Sequence, residues 1–299
     1  MSLISVASKV REELLSQPRF LLALHLTAIF LIIRPYKVGG EPDFCNLLIA
    51  VLCILLVLSR ILLVSKWTWL FVCLSMIAVL VGNWQTMDNH KYLIAYWALS
   101  CCIAVATDRP DEYLSRNARL LIGLSFGAAV LWKFLPGEFL DGSFFHALFL
   151  TDFRVRSLVL AVGGVDAESM EKNAHLMRML QVFPGANLSV TLHSSDRLHA
   201  IACITSYWVI LIEGSVAVTF LSSFSKRLSA WRDPILVAFI CTTYLIAPVD
   251  RFPSVLSIMG YAQCDTEKRA LRSTYLSIFV IMQFTRLVPS LNRFFVNLF

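Results

Sequence analysis

Three side chains in this chain stand where their type and position allow chemistry: Lys133, His90 and Glu213. Lys133 closes the apolar stretch 119–145, RLLIGLSFGAAVLWKFLPGEFLDGSFF, just before Pro136-Gly137 breaks the helix. An amine at the end of an apolar helix, beside Trp132, has two fates. It snorkels to the headgroup level, the ordinary role of such a lysine. Alternatively, it is desolvated, loses its proton and serves as a general base or nucleophile. His90 opens another apolar run in Asp88-Asn89-His90-Lys91-Tyr92-Leu93. Its ordinary role is that of an amphipathic interfacial residue; its chemical role would be to donate to a developing anion, in a site kept electropositive by Lys91. Glu213 falls midway along WVILIEGSVAV. A carboxylate at that depth is costly, so it marks either a functional site or a structural arrangement: an ion pair with Arg60 or Arg286, or a protonated acid bonded to a backbone carbonyl. Asn89, Tyr92, Trp132 and Asp141 complete the expected pocket around these groups.

The elements that must hold these residues follow from composition. The 299 residues are 58% hydrophobic and only 15% charged, with a mean hydropathy of +0.70. Successive apolar runs then imply an all-α, polytopic transmembrane helical bundle. Spans are expected at 20–33, 44–64, 67–81, 92–106, 120–135, 199–221, 235–249 and 275–287. The runs 144–150 and 157–162 are too short to cross alone, and 253–262 is ambiguous, so the count is seven to nine. Residues 1–18 form an interfacial amphipathic helix with Leu3, Val6, Val10 and Leu14 on one face; Lys9, Arg11, Glu12 and Glu13 exclude a cleavable signal core. Residues 19–299 form one transmembrane domain, with a polar extracytoplasmic segment at 165–198 that could cap the site.

The net charge of +6 reads as topology and not as nucleic-acid binding, because Lys and Arg flank the apolar runs. With the N-terminus cytoplasmic, Lys9, Arg11, Arg19, Lys66, Arg109, Arg116, Arg119, Lys226, Arg227 and Arg232 lie inside, whereas the short outer loops hold Arg34, Lys37 and Lys91. Lys268, Arg269 and Arg272 fit the inside only with one further crossing. This topology puts His90 and Lys133 at the same extracytoplasmic depth on consecutive spans. Gly123 and Gly127 would let the fourth and fifth spans close together around the pocket. The eight cysteines, mostly in apolar runs and with no CxxC, read as packing residues; His25 does too, and His193, Asp196 and His199 are too widely spaced to read as a metal site. No metal is expected. Asn187-Leu188-Ser189 is a glycosylation sequon that matters only in a secretory-pathway host.

Asn89-His90-x-Tyr92-Leu93, the small-residue helix, Lys133-Phe134 and the short loop to Phe139-Leu140-Asp141-Gly142 together resemble the membrane domain of vitamin K-dependent γ-carboxylases, within the HTTM (horizontally transferred transmembrane) family. The resemblance covers about 83–150 and is hydropathic beyond 198. It implies Lys133 as the base toward a vitamin K-like hydroquinone, and His90 as an aid to carbanion formation or carboxylation. It departs from the family at Trp132, where the carboxylase has a second lysine. No large lumenal domain is seen after the last span, so propeptide-directed carboxylation is not expected. The expected partners are membrane lipids and either a lipophilic quinone or a small exported peptide, in a bacterial inner membrane. Three functions follow: a quinol-dependent membrane enzyme performing epoxidation- or carboxylation-type chemistry with Glu213 as proton relay or helix-pairing residue, a non-enzymatic accessory or peptide-maturation protein, or a quinone-binding subunit of a redox complex similar to DoxX-type proteins.

Overall fold

The computed structural model describes residues 3–33, 44–152, 155–182, 191–222, 225–246 and 251–287. Arg34, Lys37, Arg154, the 187–189 sequon and the side chain of Arg286 lie outside the described residues. Those residues are all-helical, with no strand among them. The first half runs α1 (Leu3–Ser16), α2 (Arg19–Ile33), α3 (Phe44–Leu58), α4 (Arg60–Leu63), α5 (Lys66–Gly82), α6 (Asn89–Ala104) and α7 (Pro110–Phe134). Three small helices follow: α8 (Ser143–Thr151), α9 (Arg156–Val162) and α10 (Ala167–Val182). The chain then continues through α11 (Asp196–Leu221), α12 (Lys226–Ala230), α13 (Arg232–Ile246), α14 (Arg251–Gln263) and α15 (Arg269–Leu287).

Local chemistry sets several boundaries. Pro110 begins α7, with Asp111 and Glu112 in the first turn, where a helix favours a fixed φ and negative charge. The expected 44–64 span is broken in two. The Ser59 side chain leaves the run and caps α4 by accepting from the Leu62 amide at 3.4 Å. Ser65 and Ser195 cap α5 and α11 in the same way. Among the described helices, α11 alone combines the length and hydropathy to cross a bilayer unaided; α2, α3 and α5 are apolar but stop at 15, 15 and 17 residues.

The ambiguous 253–262 stretch is the centre of the molecule. Every residue of α14 from Pro253 to Gln263 is buried, against α15, α7 and α2. It is not the most apolar helix: Ser254, Ser257, Gly260 and Gln263 all lie inside, with Ser257 donating to the Pro253 carbonyl at 2.7 Å and Gln283 donating to Ser254 at 3.0 Å. Two strongly apolar helices, α3 and α5, turn one face outward. On α3, Leu47, Val51, Leu55 and Leu58 are exposed, and on α5 Trp67, Phe71, Leu74 and Val81, each set at helical spacing.

Candidate functional site

The seam between α7 and α11 builds the site. A Cβ added to Gly123 would collide with the side chain of Leu221, and one added to Gly127 would touch Ala217 at 3.9 Å. These pairings set an antiparallel register, 123 against 221 and 127 against 217. Carried toward the end of α7, the register sets position 133 opposite 211, two residues from Glu213 and within reach of the lysine side chain. Lys133 Nζ lies 2.6 Å from Glu213 Oε2, with the two side chains 12% and 13% exposed. The ammonium also lies 3.5 Å from the Ala129 carbonyl oxygen and 5.5 Å from the centroid of the Phe139 ring.

One expectation is corrected by this register. The glycine face receives α11, the sixth expected span, and not the fourth: Leu221 and Ala217 of α11 stand against Gly123 and Gly127. Counted from the short 105–109 connection, His90 is 14 residues back along α6 (104 − 90) and Lys133 is 23 residues forward along α7 (133 − 110), so α7 runs nine residues, about 13 Å of helix, further. Arg60 is exposed on the surface, so Lys133 is the partner that Glu213 has.

The other expected pocket residues scatter. Trp132 points outward, 68% exposed beside the buried amine. Tyr92 donates to the Trp84 carbonyl at 2.8 Å, and Asn89 is exposed at the start of α6. Asp141 is exposed and accepts from the Ser143 amide and hydroxyl, which hold its carboxyl below the usual carboxylate range. Lys91, expected in an outer loop, is buried in the first turn of α6. The described parts of the expected 165–198 cap, 165–182 and 191–198, pack with α8 and α9 around a small core. Between it and Lys133 stand Phe139, Phe144, Phe145 and Phe149, a chain of rings with neighbouring centroids 4.2 to 6.0 Å apart.

A second polar assembly was not foreseen in the sequence. Asp233 is fully buried and accepts from Gln263, from the Tyr275 hydroxyl at 3.1 Å and from Lys268 at 3.4 Å. Asp265 sits 3.4 to 3.5 Å from Arg119, Arg232 and Lys268. Arg19 donates to the Cys264 carbonyl at 2.9 Å and lies 3.7 Å from Asp111. A partial signal was available: the topology rule assigned Arg19, Arg119 and Arg232 to one side, and Lys268 fits that side only with one further crossing. Their carboxylate partners leave no periodic trace. Along α7, Arg119 lies 14 residues from Lys133 (133 − 119), about 21 Å, so the two assemblies are separate. Among the described residues no three His, Cys, Asp or Glu side chains converge as metal ligands do.

Comparison of this chain with known protein families, with curated proteins and with solved structures finds no match.

Proposed function

We propose that the chain is a multi-pass membrane protein in which Lys133 and Glu213 form a proton-transfer site for a lipophilic, quinol-like substrate. The ion pair carries this reading: a 2.6 Å lysine–glutamate contact, nearly closed to solvent, on helices that expose Leu124, Leu131, Ile204, Leu211 and Val218. The outward apolar stripes of α3 and α5 support the membrane setting, because a large exposed apolar face calls for a partner such as lipid. The meeting of Arg19, Arg119, Arg232 and Lys268 at one level supports the orientation. Taking α14 as a crossing makes nine spans and brings Lys268 to the cytoplasmic end. A bacterial inner membrane is the setting this reading assumes.

The Phe139–Phe144–Phe145 rings fit a planar aromatic headgroup, offering stacking surfaces next to the amine. A reduced quinone bound there would supply an acidic hydroxyl and reducing equivalents. The protein's part is proton movement. In the resting pair Lys133 holds its proton against the Glu213 carboxylate. Transfer of that proton to Glu213 leaves a neutral amine at Lys133, able to accept a proton from the substrate, while the aromatic wall limits water. Glu213 is thereby the relay. The HTTM-type carboxylase or epoxidase reaction belongs to this proposal as its most specific form.

A second reading treats the same pair as a helix clasp in an accessory protein, favoured by its continuation of the Gly123–Leu221 and Gly127–Ala217 register. Lys133→Arg separates the two. A guanidinium keeps the ion pair but cannot give up its proton. The measurement is quinone retention and quinol oxidation by the purified protein in nanodiscs. Wild-type turnover with loss in Lys133→Arg, at an unchanged melting temperature, supports the base. Equal quinone content and turnover in wild type and Lys133→Arg removes it and leaves the clasp.

A further inference from the structure

On the outer side of α11 an exposed serine is held against an imidazole. His146, on α8, places Nε2 2.5 Å from Ser194 Oγ. Ser194 belongs to the short segment before α11, yet both its neighbours are fixed. The side-chain amide of Asn173, fully buried on α10, donates to the His193 carbonyl and accepts from the His193 amide, both at 2.8 Å. Ser195 accepts from the Leu198 amide at 3.0 Å as the α11 cap and donates to the Gly163 carbonyl at 2.5 Å. Beneath them Leu192, Leu198, Ile201 and Phe149 belong to a small core of their own. The serine is thus exposed to solvent while its backbone is held in place on both sides, an arrangement suited to a reacting group. The His146 ring meets His199 edge to face at 5.2 Å, which fixes the plane of the imidazole.

We propose that Ser194 and His146 are a nucleophile and general base for acyl transfer from carboxylic esters that reach this open surface. The inference rests on no part of the Lys133 reading. Ser194 Oγ forms a bond to the ester carbonyl carbon as its proton passes to His146 Nε2. Collapse of the adduct breaks the bond to the alcohol oxygen, which departs with the proton held by His146. Water then attacks the acyl-serine through the same imidazole, releasing the carboxylic acid and restoring the serine. Burial, and after it the charge of His199, hold the His146 pKa below its usual value, favouring the neutral form that accepts a proton.

The test is reaction of the full chain in nanodiscs with a fluorescent alkyl fluorophosphonate, the adduct being located by peptide mass spectrometry. Ser194 is expected to carry the label and Ser194→Ala to lose it. His146→Gln retains a hydrogen-bonding side chain of similar size but cannot relay a proton. It should label at least about 100-fold more slowly at an unchanged melting temperature. An unlabelled Ser194 in folded wild-type protein overturns the proposal, and so does His146→Gln labelling at the wild-type rate.

Discussion

The molecule buries charge twice, in two different ways. Around Asp233 and Asp265, carboxylates, guanidinium groups, an amine, an amide and a phenol from α7, α13, α14, α15 and the 264–268 connection share partners. At Lys133 and Glu213 one cation meets one anion between two helices, with the Ala129 carbonyl and the Phe139 ring beside the amine. In the first assembly each charge has several partners, so no proton can move without disturbing three or four contacts. In the second, one proton transfer neutralises both members. The first ties several helices through shared partners, and in the proposed reading the second is the one whose charge state changes.

The largest effect is expected where most contacts end on one group. Asp233→Ala would leave Arg232 and the Tyr275 hydroxyl buried beside a lost acceptor, at a cost of about 3–5 kcal/mol. It should appear as the deepest loss of thermal stability in detergent among the variants considered. Lys133→Met comes next. It strands Glu213, but that carboxyl can take up a proton, so the loss should be about 1–3 kcal/mol. The double variant Lys133→Met, Glu213→Met should recover most of it, because apolar replacement of a buried pair is often neutral. If Lys133→Met melted below Asp233→Ala, the contrast between a fixed network and a changeable pair would be lost.

Much of this was legible in the sequence, and the rest was not, for physical reasons. Helix class and the helix end before Pro136 follow from hydropathy and breaker residues, and Lys133 and Glu213 stand out through the cost of charge in an apolar run; the start of α7 at Pro110, ten residues before the expected span, does not follow. That Lys133 and Glu213 would meet does not either, because hydropathy fixes depth along a helix but not which face it turns to a neighbour; only the Gly123 and Gly127 contacts supply that register. The centrality of α14 was hidden for the opposite reason. A helix buried on all sides by other helices can carry Ser254, Ser257 and Gln263 inside, so its apolar signal is diluted where its burial is greatest. Conversely, the apolar runs of α3 and α5 each leave a whole face exposed, while that of α2 is buried, so hydropathy alone does not separate surface from core.

Two glycines sharpen the contrast at a smaller scale. A Cβ at Gly260 would overlap the ring of Tyr275, whose hydroxyl bonds Asp233, so Gly260→Ala would push on the network itself. A loss of about 1–3 kcal/mol is expected, read by thermal melting. At Gly127 the added methyl would meet Ala217 and Leu221 at 3.9 and 4.0 Å, ordinary contact distances, so Gly127→Ala should melt within about 0.5 kcal/mol of wild type. Equal losses at the two sites would mean that the α7–α11 seam is as rigid as the network.

The smallest effect is expected from a carboxylate that is not buried at all. Asp166 accepts from the Ser169 amide at 2.8 Å and from the Ser169 hydroxyl at 3.0 Å, and these bonds hold its pKa below the usual value. Because the folded pKa is the lower one, its contribution is fully present above the unfolded value and disappears as pH falls through the folded one. The consequence is local: the first turn of α10 should exchange its amides faster below that range, relative to the intrinsic rate, while the melting temperature hardly moves. Asp166→Asn should remove this pH dependence of the Ser169 amide. If exchange across α10 accelerated together with α14, the outer segment and the buried network would be one cooperative unit, and the separation drawn between them would have to be abandoned.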